Sequence, residues 1–109
     1  MLFAEPNASP SNVKGHNTSS TSIFVQWSNV PAADQNGVIL SYTVTYKMFP
    51  DGSPQTRVVS APATQVTLIG LNEYTNYSIT VFGSTLKGGG RISAPIIVVT
   101  EQDSKLTSI

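Results

Sequence analysis

Tyr42-Thr-Val-Thr-Tyr46 alternates strictly between large apolar and small polar residues, and the pattern returns in Ile23-Phe-Val-Gln-Trp27 and Tyr77-Ser-Ile-Thr-Val81. Successive side chains of a strand point to opposite faces, so each run predicts a strand with one dry face and one wetter face. In the first run Ile23, Val25 and Trp27 face one way, and Phe24, Gln26 and Ser28 the other. The same reading extends the remaining strands to Ile39–Met48, Gln55–Ser60, Thr64–Ile69 and Tyr77–Ser84, with an edge strand over Ser11–His16. Ile96-Ile-Val-Val99 is apolar on both faces, so this last strand is either covered twice or presents an apolar strip.

Breakers separate these runs. Asn17–Thr21 reads as a turn of short polar side chains able to bond their own backbone, and Asn29–Val38 as a long loop closed by Asn36-Gly37. Pro50–Pro54 and the glycine-rich Leu86–Arg91 are further turns. Seven strands with such regular punctuation predict an all-β, seven-stranded antiparallel sandwich, and no helical period competes with it. Residues 1–8 read as a leader or linker, 9–101 as one domain, and 102–109 as a linker or tail. No internal repeat occurs, and Met1–Glu5 lacks the basic and apolar regions of a signal peptide, which predicts a domain cut from a longer chain.

These residues resemble a fibronectin type III domain. Trp27 two residues after Val25 matches the family's second-strand tryptophan, and Ile39-x-x-Tyr42-x-Val44-x-Tyr46 matches its third strand. Leu71-x-x-x-Thr75-x-Tyr77-x-Ile79-x-Val81 matches the segment holding the tyrosine corner, whose hydroxyl reaches back to upstream backbone. Ser93-x-Pro95 followed by Val98-x-Thr100 matches the final strand. Gly83 stands where the family usually has Ala, and Glu73 where it often has Pro; both departures touch only local packing. The resemblance implies an immunoglobulin-like sandwich of fibronectin type III topology without a disulfide. It also implies a core that includes Trp27, Tyr42, Val44, Tyr46, Leu71, Tyr77, Ile79 and Val81.

Composition narrows the function. Six basic residues balance six acidic ones, and Lys14, Lys47, Arg57, Lys87, Arg91 and Lys105 are scattered, which argues against nucleic acid as a partner. With no cysteine there is no thiolate chemistry and no cysteine-based metal site. No apolar run reaches the roughly 20 residues that cross a bilayer, so direct membrane insertion by this domain is not expected. His16 is alone and reads as a solvated surface residue; Asp34, Asp51, Glu73, Glu101 and Asp103 are each isolated. Lys87-Gly-Gly-Gly-Arg91 has the glycines of an anion-cradling loop but no following helix, and reads as a hairpin. No catalytic residue, cofactor or metal site is expected.

What remains is binding. Asn7-Ala-Ser9, Asn17-Thr-Ser19 and Asn76-Tyr-Ser78 fit the N-glycosylation rule, with Asn17 favoured by its place in a polar turn. In the family the last hairpin is a frequent partner-binding loop; no Arg-Gly-Asp is present for integrin, and no Trp-Ser-x-Trp-Ser of cytokine receptors. Candidate partner contacts are Asp34 and Asn36 in the long loop, Asp51 in the proline turn, and Lys87 and Arg91 in the hairpin. Phe82, on the face opposite Val81, is a candidate exposed apolar contact, against the alternative of ordinary packing with Thr80 and Thr45. The resulting expectation is a non-catalytic, extracellular spacer and protein-interaction module of an adhesion or receptor protein, with protein partners and adjacent domains. A structural module of an intracellular filament protein, or a spacer in a secreted carbohydrate-degrading enzyme, are the alternatives.

Overall fold

A computed structural model describes residues 6–102; the leader reading of residues 1–5 and the tail reading of 103–109, with Asp103 and Lys105, lie outside the described residues. Two antiparallel sheets face each other. The first contains β1 (Ser11–Ser19), β2 (Ser22–Ser28) and β5 (Gln65–Leu68), in the order β1-β2-β5. The second is built on β3 (Ser41–Met48), flanked by β4 (Gln55–Ser60) on one side and β6 (Asn76–Thr85) on the other. Along the far edge of β6 run β7 (Gly88–Gly89) and β8 (Ile96–Val99).

The alternating runs form strands because one row of each can be buried whole. Ile23, Val25 and Trp27 of β2, Tyr42 and Val44 of β3, and Tyr77, Ile79 and Val81 of β6 are all buried and meet between the sheets. The Trp27 and Tyr42 rings tilt at 58° with centroids 5.5 Å apart, an arrangement in which a ring edge meets a ring face. Tyr46, expected in the core, is only partly buried and packs against its margin, on the side of β3 where it pairs with Gln55 of the edge strand β4.

Eight strands replace the seven expected, because the last one is broken. Ser84 pairs with Gly89 and Ile79 with Ile96, so the four residues between them on β6 are opposed by six on its neighbour and the intervening chain bulges. Pro95 has no N–H to offer there. Ser93 bridges the gap: its N–H donates to the Val81 carbonyl, and its Oγ accepts the Val81 N–H at 2.9 Å. The tyrosine corner implied by the family resemblance is present, with Tyr77 Oη accepting the Asn72 N–H at 2.8 Å.

Two element boundaries differ from the expectations in ways that bear on function. The turn expected at Asn17–Thr21 shrinks to Ser20-Thr21, since β1 continues through Asn17, which pairs with Ile23. Within the predicted leader, Pro6 is buried and the Asn7 N–H donates to the Asp34 carbonyl at 2.9 Å, tying this segment to the long loop.

Candidate functional site

The long loop is held rigid from below. Val30 is buried, and the Tyr42 hydroxyl beneath it donates to Asn29 Oδ1 at 2.9 Å and accepts the Val30 N–H at 3.4 Å. Removal from water pushes the Tyr42 phenol above its ordinary value of 10.0, and the Val30 N–H opposes that shift. The Gln35 amide donates to the Val30 carbonyl at 2.9 Å, and a short 3-10 turn spans Ala32–Asp34. The chain then reverses through Asn36 and Gly37 at φ 56° and 144°; glycine takes such values without a side-chain clash and asparagine takes the left-handed region more readily than most.

The last hairpin rises beside this loop. Its tight turn is Leu86-Lys87, within the broader turn expected over Leu86–Arg91, and Gly88 and Gly89 already belong to a strand. The Leu40 N–H donates to the Ser84 carbonyl at 2.8 Å, which ties the end of the long loop to the root of the hairpin. Together they frame a shallow apolar hollow of about 110 Å³ lined by Val38, Leu40, Thr85 and Leu86. Val38 is 70% exposed, Leu40 46% and Leu86 87%. Three such side chains held in water at one place form a patch with the character of a contact surface.

The candidate contact residues do not share one surface. Ser41 pairs with Ser84 and Met48 with Tyr77, so the start of β3 and the turn after its end lie at opposite poles of the sandwich. Seven residue steps at about 3.3 Å put the two poles about 23 Å apart. Asp34, Asn36, Lys87 and Arg91 belong to the pole with the apolar hollow, whereas Asp51 belongs to the other. Asp34 is half-buried, its carbonyl taken by Asn7, while Lys87, Arg91 and Asp51 are exposed.

Phe82, the candidate exposed contact, is half-buried. It faces outward opposite Thr43, not beside Thr45, and its ring lies against Gly89, where a Cβ would come within 2.6 Å of Phe82 Cε1. Ile97 pairs with Ser78, four residues or about 13 Å from Phe82 along β6. The apolar strip of β8 therefore stands apart from Phe82, with Ile97 and Val99 exposed.

His16 is exposed on β1, its ring 5.5 Å from that of Phe24. No group of three or more His, Cys, Asp or Glu side chains gathers among the described residues, and no helix is long and apolar enough to cross a membrane. Of the three sequon asparagines, Asn17 is half-buried in β1 and donates to the Val99 carbonyl at 2.8 Å, whereas Asn76 is exposed at the start of β6. Asn7 is also exposed, and with its amide nitrogen turned toward Asp34 it donates to Oδ1 and the carbonyl at 3.1 and 2.8 Å.

The hollow itself was not anticipated. Its signal was Val38-Ile-Leu40: in an alternating segment Ile39 turns inward and its two neighbours must face water. Leu86, apolar at the tip of a polar and glycine-rich turn, was the other. Buried Thr100, in sequence only a position that matches the family's final strand, donates its Oγ1 hydrogen to the Asn72 carbonyl at 2.7 Å and accepts the Thr75 N–H at 2.9 Å.

The family model for the fibronectin type III domain matches residues 8–99. Protein sidekick-1 of Gallus gallus is 39% identical over 100 residues, which is 90% of this chain and 5% of that protein. Receptor-type tyrosine-protein phosphatase F of Mus musculus is 35% identical over 102 residues, again 90% of this chain and 5% of that protein. The chain thus spans about 5% of the length of these relatives. Among solved structures, the chicken CNTN1 FN1–FN3 domains superpose with a TM-score of 0.81 at 26% identity, over 91% of this chain and 33% of that one.

Proposed function

The chain belongs to the fibronectin type III family, and from that premise we propose that it is a non-catalytic, extracellular spacer and protein-interaction module of a larger adhesion or receptor protein. Relatives many times its length, one of them a receptor-type phosphatase, support the idea of a module. The observation that carries the interaction role is the apolar hollow of Val38, Leu40 and Leu86 on anchored backbone at one pole. A surface fixed before binding loses little conformational entropy on contact, and its apolar area supplies the driving force. Lys87 and Arg91 bring positive charge to the same pole, favouring a protein partner with an apolar centre and an acidic margin. Asp51 at the far pole serves a separate contact, suited to an adjacent domain.

The test uses beads coated with the module and a Val38→Ser/Leu86→Ser variant matched for melting temperature. Wild-type beads are expected to bind cell surfaces, with binding lost in the variant; equal binding by both would remove the hollow as the contact. An antibody to the module should label intact cells of the source organism, and labelling only after permeabilisation would overturn the extracellular placement.

A further inference from the structure

We infer that Asn76 is the N-glycan acceptor of this module, and that its glycan covers an apolar strip on the outer face of the larger sheet. The inference rests on the extracellular reading above.

Asn76 opens β6 with its side chain exposed, within Asn76-Tyr-Ser78, and has no side-chain hydrogen bond among the described residues. The other two sequon amides are engaged: that of Asn17 is held in the seam between β1 and β8 by the Val99 carbonyl, and that of Asn7 faces Asp34. A glycan on Asn17 would have to leave a half-buried position between the two sheets. On Asn76 it leaves from the outer face without displacing anything.

The surroundings of Asn76 give the glycan a task. Asn76 is the register partner of Val99 on one side, and on the other its carbonyl accepts the Phe49 N–H at 2.9 Å. Phe49, Val99 and Ile97 are 51%, 40% and 49% exposed. Asn76 thus sits amid exposed apolar side chains, two of them on the edge strand β8, where such surface invites pairing with other chains. The less polar faces of the first N-acetylglucosamine rings suit such a strip, and the outer sugars keep it solvated. In the attachment, Asn76 Nδ2 forms a bond to C1 of an oligosaccharide carried on a lipid diphosphate. The C1–O bond to the diphosphate breaks, the lipid diphosphate leaves with the bonding electron pair, and Nδ2 gives up one proton.

The chain is expressed behind a signal peptide in secreting animal cells and its three sequons are read by glycopeptide mass spectrometry. Asn76 is expected to be occupied in most molecules, and Asn76→Gln and Ser78→Ala each to remove that glycan. Both variants should bind an apolar-surface dye severalfold more than the glycosylated protein and self-associate at lower concentration. A folded, secreted protein with Asn76 bare overturns the acceptor assignment, and unchanged dye binding in both variants overturns the covering role. Because secretion is imposed, either failure leaves the extracellular reading to be judged separately by antibody labelling of intact source cells.

Discussion

Tyr42 shows how one side chain serves both core and site. Its ring fills the space beside Trp27, and its hydroxyl carries the long loop through Asn29 and Val30. Burial raises the phenol above its ordinary 10.0, so the folded protein holds this proton more tightly than the unfolded chain does. A group with a raised folded-state value contributes stability that is complete below the unfolded value and is lost as pH rises through the folded one. Urea midpoints should therefore fall above pH 10.0, the unperturbed tyrosine value, and Tyr42→Phe should show a smaller fall. At neutral pH the same variant loses the bond to Asn29 and should be less stable by about 1 kcal/mol. The close packing around this ring also accounts for Gly83 where alanine is usual, since a Cβ there would lie 3.2 Å from Tyr42 Cε1.

The broken last strand is the element that departs furthest from a simple ladder. A buried N–H left without a partner costs about 1–3 kcal/mol, and Val81 would have one if Ser93 did not accept from it. Ser93→Ala should accordingly lower unfolding free energy by about 1–2 kcal/mol in a denaturant titration. Ser93→Thr, which keeps the hydroxyl, should recover part of the loss. If alanine proves neutral while the slope of the titration is unchanged, the side chain is not what holds the gap. The apolar run Ile96–Val99 indicates a last strand that is either covered on both faces or presents an apolar strip. It did not reveal the two-residue bulge before it, because a bulge is defined by pairing across strands.

At the scale of the molecule, the sandwich closes along a seam between β1 and β8. Gly15 permits it: a Cβ at this position would meet Val98 Cγ2 at 3.1 Å and Ile96 Cδ1 at 3.3 Å. Asn17 then crosses the seam to the Val99 carbonyl, and the Glu101 N–H donates to the Ser19 carbonyl at 3.2 Å. Overpacking a tight contact costs about 1–3 kcal/mol, so Gly15→Val should destabilise by that order. Amide exchange should quicken first in β1 and β8 while the β3–β6 ladder stays protected; uniform quickening would show that the seam opens only with the whole fold.

The period of the hydrophobic pattern is a local property, and it sufficed for the inward rows of β2, β3 and β6 and for the fold class, but not for β7, whose two glycines carry no pattern. The tyrosine corner was implied by the family resemblance, and its contact is local: the hydroxyl of Tyr77 meets backbone five residues upstream. Positions set by pairing between distant segments were not legible. Register placed Asp51 at the pole away from Asp34 and Lys87, drew Phe82 over Gly89, and separated it from Ile97. Burial of Val30 and anchoring of Asn17 likewise depend on strands far off in sequence. Alternation states which side chains turn inward; only the assembled sheets decide what each outward side chain stands beside, since that neighbour comes from another strand.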